Sequence, residues 1–140
     1  TDTEILTGLA KRLLVLAGGT SGAVFGTLFN ELARAESLAD GLNDAADLIH
    51  ELGGAKRGDR TMLDALIPAA EKARELGAKD PDAETLQALF AAAHAGALDT
   101  EDLAAKKGRA SYLGDRSKGV IDPGALVVSW LFGGEPLSAR

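Results

Sequence analysis

Between Lys106 and Gly124 the chain carries four glycines, five basic residues and an Asp122-Pro123-Gly124-Ala125 turn set directly before an apolar stretch. Long connections inside compact domains are uncommon and tend to be functional. Glycine lets backbone approach a ligand, arginine grips phosphate as a two-pronged donor, and a helix start offers unpaired amide hydrogens. Together these parts suit a wall or lid over a phosphorylated ligand. Two other segments carry related chemistry. Gly18-Gly19-Thr20-Ser21-Gly22 stands before a helical pattern and would present amides and two hydroxyls to an anion. It lacks the Lys-Ser/Thr ending of a Walker A loop, and a helix-to-helix turn with a Ser or Thr cap also accounts for it. The segment from Gly53 to Met62 joins flexible backbone to Lys56, Arg57 and Arg60. There Gly53 would admit a flat ring and Met62 would supply adaptable apolar contact. The plainer account makes Gly53 a helix C-cap and Met62 core. Arg57-Gly58-Asp59 matches an integrin-adhesion tripeptide by coincidence.

Other reactive side chains are sparse. His50 and His94 have no carboxylate or second histidine at ligand spacing, so both read as surface or core residues. There is no credible Ser-His-Asp set and no aspartate-rich metal cluster. Asp59 and Asp64 could ligate a metal, but helix capping explains them more simply.

The elements that must position these loops are helical throughout, since no segment sustains strand-like alternation. The spacing predicts a first helix over Thr3 to Ala17, with Ile5, Leu6, Leu9, Leu13, Leu14 and Leu16 on its apolar side. A second starts near Thr20 or Ser21, either of which could cap it, and buries Val24, Phe25, Leu28, Phe29 and Leu32. A third runs from Gly41 to Leu52 and ends at Gly53-Gly54. A fourth opens at Thr61, with Asp64 at capping-box spacing, and continues to Leu76. A fifth takes Asp80 as cap and Pro81 as first helical residue, and runs as far as Leu103 to Lys106. The sixth begins at Pro123 behind an Asp122 cap and buries Leu126, Val127, Trp130 and Leu131. Short connections make an antiparallel up-down bundle the expected architecture. In such a bundle alternate connections share an end, so the loops at 18–22, 53–60 and 108–124 are expected to converge.

With 140 residues the chain is one domain, and without cysteine it can form neither disulfides nor thiolate metal sites. A net charge of −6 argues against nucleic acid or an anionic membrane as partner. The apolar stretch Ala125 to Phe132 is too short to span a bilayer and no signal-peptide layout is present, so a cytoplasmic location is expected.

Three sets of residues carry a family resemblance: Gly18 to Gly22, Gly58-Asp59-Arg60-Thr61-Met62-Leu63-Asp64, and Gly108-Arg109-Ala110-Ser111-Tyr112-Leu113-Gly114 with Asp122-Pro123-Gly124-Ala125. In order and spacing they resemble the DhaL family, the nucleotide-binding L subunits of bacterial dihydroxyacetone kinases, from end to end of the chain. The resemblance implies an eight-helix antiparallel barrel with ADP and two Mg²⁺ at one end. It implies nucleotide contacts at Thr20, Ser21, Gly53, Met62, Arg109, Asp122, Pro123 and Gly124. Thr20 and Ser21 would serve the phosphates, Gly53 and Met62 the adenine side, and Arg109 the diphosphate charge as the one catalytic candidate. In the phosphoenolpyruvate-dependent system, bound ADP accepts a phosphoryl group from a phosphohistidine of the M subunit. It then passes the group to dihydroxyacetone on the K subunit.

The family places its metal-binding aspartates in a Gly-Asp-x-Asp-x-Gly type segment ahead of the first helix, and these 140 residues contain none. The expectation is an L domain over residues 1–140 lacking two helices and the metal ligands, and catalytically incompetent without them. Such a segment is expected to precede the helix that opens the chain. Two other functions fit the same motifs: the nucleotide domain of an ATP-dependent triose kinase, and an ADP-dependent co-regulator of a transcription regulator. A homodimer is also admitted.

Overall fold

Five α-helices make up most of the computed structural model, which describes residues 4, 5, 7, 8, 19–104 and 119–133. They are α1 (Gly19–Arg34), α2 (Leu38–Gly53), α3 (Leu63–Leu76), α4 (Ala83–Asp99) and α5 (Pro123–Trp130). A 3₁₀ turn, Thr100–Asp102, extends α4. Among the described residues there is no strand, as the sequence leads one to expect. Residues 4, 5, 7 and 8 are helical, and Ile5 is exposed rather than packed; the rest of the expected first helix lies outside the described residues.

Several helix ends differ from expectation for local reasons. Helix α1 starts at Gly19, so Thr20 and Ser21 fall in its first turn and neither is the cap. Helix α2 begins three residues early because Ser37 caps it, accepting from the Asp40 amide at 3.1 Å. Its first amides are also claimed from a distance: Leu38 donates to the Lys79 carbonyl and Ala39 to that of Ala78. At its other end Gly54, not Gly53, takes the left-handed conformation and closes the helix on the His50 carbonyl. The cap of α4 is Asp82 rather than Asp80. Its carboxylate accepts from the Thr85 amide at 2.8 Å and is held below the ordinary aspartate range by that residue. Helix α4 stops at Asp99, short of the expected Leu103 to Lys106. The Thr100 hydroxyl turns back to the Ala97 carbonyl and accepts from the distant Asp122 amide. The start of α5 is as expected, with Asp122 accepting from Ala125 N at 3.0 Å and Pro123 following.

Helices α1 to α5 pack on one another in chain order, and α5 also returns onto α3. Neighbours joined by short connections must run antiparallel, giving the up-down arrangement. The core is aliphatic and alanine-rich: Leu28, Leu42, Ile49, Leu63, Leu66 and Leu89, interleaved with small residues that let the helices approach closely. The expected apolar face of α1 is borne out, with Leu28 and Phe29 buried and Val24, Phe25 and Leu32 packed against the core. That of α5 is met in part: Leu126 packs on the core and Trp130 is half-buried, but Val127 and Leu131 are exposed, and Ala125, Val128, Ser129 and Phe132 are buried instead. The small face of α5 is what fits against both α3 and α4.

Candidate functional site

Helix direction divides the molecule into two ends. The α1–α2 and α3–α4 connections meet at one, through the Leu38 and Ala39 bonds to residues 78–79. At the other, the α2–α3 connection meets the start of α5. The loop at 53–60 and the described end of the loop at 108–124 therefore meet; residues 108–118 lie outside the described residues. The third precedes α1, whose first turn lies at the same end by virtue of its antiparallel packing on α2.

The meeting of these loops is close. A Cβ placed on Gly124 would sit 3.5 Å from Met62 Cβ and 3.8 Å from Met62 N, with the Asp122 carboxylate at 3.2 Å. The start of α5 therefore lies within van der Waals reach of the residue that precedes α3, and the tight neighbour of such a Cβ is the Asp122 carboxylate of its own turn. Met62 is 5% exposed and abuts this position from the N-terminus of α3. Gly53 ends α2 at the same end, exposed, with no atom within 4 Å of where a Cβ would stand, so a ligand can reach its backbone.

Acidic side chains organise the α2–α3 connection. Asp64 accepts from Gly58 N at 2.6 Å with one oxygen and from Thr61 N at 3.0 Å with the other. Thr61 Oγ1 accepts from Leu63 N, completing the local cap. Asp59 accepts from Lys56 N at 3.1 Å in a tight turn. Capping and turn bonds therefore account for both aspartates, as their spacing suggests. The three cations of this connection differ in their surroundings. Arg57 pairs with Glu71, and Arg60 is buried, donating from Nη2 to the Val120 carbonyl at 2.7 Å. Of the three, only Lys56 is without an ion pair among the described residues. Arg60 is turned into the fold, whereas Lys56 and the Arg57–Glu71 pair are exposed.

Burial pushes the Asp122 carboxyl above the ordinary aspartate value of 3.8. The Ala125 amide and the Arg60 guanidinium oppose that shift, and Asp64 adds to it. The carboxylate also occupies the first amides of α5, leaving little of that helix start for an incoming anion. Helix α1 differs, with no acidic residue in its first turn.

Met62, Asp122 and Gly124 are thus brought together, with Pro123 between the last two. Gly53 is the last residue of the helix that leads into the same connection. The Thr20 and Ser21 side chains and all of Arg109 lie outside the described residues. Arg60 and Thr100 were not singled out as site residues. A left-handed arginine and a hydroxyl accepting from an amide 22 residues away have no local signal in sequence. His50 Nδ1 contacts the Ala55 carbonyl at 2.6 Å and His94 stacks on Phe90, so both are structural. Among the described residues no three acidic or histidine groups could hold a metal ion. The arrangement packs the buried Met62 beside the α5 start, with the Gly53 backbone open to solvent at the same end.

Residues 2–134 match the family described as the DAK2 domain. The ADP-binding subunit DhaL of the PEP-dependent dihydroxyacetone kinase of Escherichia coli is 36% identical, over 97% of this chain and 70% of its own length. The corresponding subunit of PEP-dependent dihydroxyacetone kinase 2 of Listeria innocua is 37% identical, over 91% and 64%. Among solved structures, the dihydroxyacetone kinase of C. freundii in complex with AMP-PNP and Mg²⁺ aligns with a TM-score of 0.67 at 30% identity. That alignment covers 93% of this chain and 22% of that one. The chain accordingly spans under two thirds of the second relative and under a quarter of the third.

Proposed function

This chain belongs to the DAK2 domain family, and on that footing we propose that it is the nucleotide-binding domain of a dihydroxyacetone kinase. The observation that carries the reading is the close approach of Met62 to Gly124, which brings two of the family-like segments together at one end of the bundle. Adenine would lie near Met62 and against the Gly53 backbone, where the chain edge is open. The diphosphate would then extend toward the first turn of α1, served by Thr20, Ser21 and the helix amides, with Arg109 neutralising charge. Asp122, Pro123 and Gly124 would fix the ribose side through a rigid helix start.

Phosphoryl transfer is largely positioning and charge neutralisation. In this reading the domain orients the nucleotide, while the acceptor triose is held on a K subunit and the phosphoryl donor is a phosphohistidine of an M subunit. Magnesium has no ligand set among the described residues, and residues 1–140 are proposed to belong to an L domain.

ADP titrated into the purified chain by calorimetry tests the reading. Saturable binding, lost in Arg109→Ala, is expected; a folded chain that ignores ADP with Mg²⁺ present would refute it. The solved relative holds AMP-PNP, which favours a second reading, an ATP-dependent triose kinase domain. Free exchange of bound ADP for ATP would select it.

A further inference from the structure

Arg60 adopts φ 61°, the one positive φ of a non-glycine residue among the described residues. A left-handed arginine costs free energy and persists only where the surroundings demand it. Here the conformation sends a long cationic side chain inward until it is 4% exposed. Its Nη2 donates to the Val120 carbonyl at 2.7 Å and its Nη1 lies 3.7 Å from Asp122 Oδ1, sixty-odd residues along the chain. Its Nε has no partner among the described residues.

Resting on the reading above, we propose that Arg60 is a positioning residue for the nucleotide seat, tying Val120 and Asp122 to the start of α3 and so fixing the gap between Met62 and Gly124. Val120 and Asp122 form the entry to α5, and among the described residues Arg60 is the cation paired there. A second tie, Asp122 N to Thr100 Oγ1 at 2.8 Å, holds the same entry to the end of α4. Without Arg60 the α5 entry keeps its bond to Thr100 and its packing on α3 but loses its hydrogen bond and ion pair to the α2–α3 connection. The approach of Met62 to Gly124 would then be held by packing alone. The fork geometry matters because one prong serves a carbonyl and the other a carboxylate, which an ammonium group cannot reproduce.

The groups facing Asp122 are Arg60 from the α2–α3 connection, Asp64 from the first turn of α3, and the Gly124 and Ala125 amides of its own helix. Removing Arg60 leaves Asp64 as the remaining charged neighbour among them, which favours the protonated acid. A merely structural arginine would not make ligand affinity depend on pH in this way.

The experiment uses the chain as it stands, with Arg60→Gln and Arg60→Lys beside the parent. ADP affinity is measured by calorimetry from acid to neutral pH, with thermal melting followed in parallel. Arg60→Gln is expected to lose ADP affinity by about tenfold or more, as for other charge-assisted buried bonds, and the acid fall-off of affinity moves to higher pH. Arg60→Lys restores the position of that fall-off but not the affinity. Titration of ADP itself is common to all three proteins and cancels. Parent-like affinity and pH profile in a folded Arg60→Gln overturns the proposal; should that variant fail to fold, unchanged affinity in Arg60→Lys overturns it. If the parent binds no ADP, the nucleotide reading fails, whereas the proposal still requires the Asp122-linked change in melting to shift in the variants.

Discussion

Replacing Gly96 with alanine adds one methyl group where α4 has no room for it. A Cβ there would lie 2.0 Å from the Asp64 carbonyl oxygen and 3.1 Å from Pro68 Cγ. Pro68 explains the approach: it sits inside α3 and has no N–H to offer the carbonyl four residues before it, which is that of Asp64. Real Cβ contacts essentially never fall below 3.0 Å, so the helices must part by about 1 Å at this point. The obstacle is backbone, which cannot swing aside, and a gap of that size forfeits much of the dispersion energy across the seam. Leu89, Ala93 and Ala97 on α4 and Ala65 and Ala69 on α3 are all fully buried in the core it would open. Overpacking of this kind costs ~3 kcal/mol, and the better helix propensity of alanine returns ~1 kcal/mol. The net loss of about 2 kcal/mol lowers the melting temperature by about 4–8 °C for a chain of this size. Thermal and urea unfolding measure it, with Gly53→Ala as the control because nothing lies within 4 Å of that position. Since the Asp64 carboxylate holds the Gly58 and Thr61 amides, ADP affinity should weaken as well. A Gly96→Ala protein that melts at or above the parent refutes the reasoning.

The remaining expectations are briefer. Gly53→Ala changes stability by less than ~0.5 kcal/mol yet weakens ADP binding in calorimetry, because only the ligand approaches that backbone. Met62→Ala costs about 2–5 kcal/mol in unfolding experiments and also lowers ADP affinity. Ser37→Ala costs ~1 kcal/mol in urea unfolding through the lost α2 cap. Asp122→Asn keeps the cap acceptor and removes the buried charge. The parent carboxyl titrates above its ordinary value in the folded state, so its stabilising contribution is complete below the unfolded pKa and is lost as pH rises through the folded one. Parent and variant should therefore be alike in acid, with the variant gaining relative stability toward neutral pH. An opposite trend in melting temperatures would mean that the Arg60 pair outweighs burial.

Sequence alone determined the helical class, the α5 cap, the Asp64 capping box and the segments that would gather at one end. These follow from periodicity, from side chains that bond within three residues, and from the parity of an up-down chain. What it missed in α2 and α4 was of two kinds. Ser37 and Asp82 are local caps legible in principle, each with a suitable partner three residues on. The early stop of α4 at Thr100 and the first amides of α2 depend on partners 22 and about 40 residues away, which no window contains. Only the tertiary structure could assign Arg60. By composition it belongs with Lys56 and Arg57 as a solvent-facing cation, and a positive φ leaves no trace in residue type. Whether a charge serves a ligand or the fold depends on what packs around it, and burial settled that for Arg60 by turning it toward Val120 and Asp122.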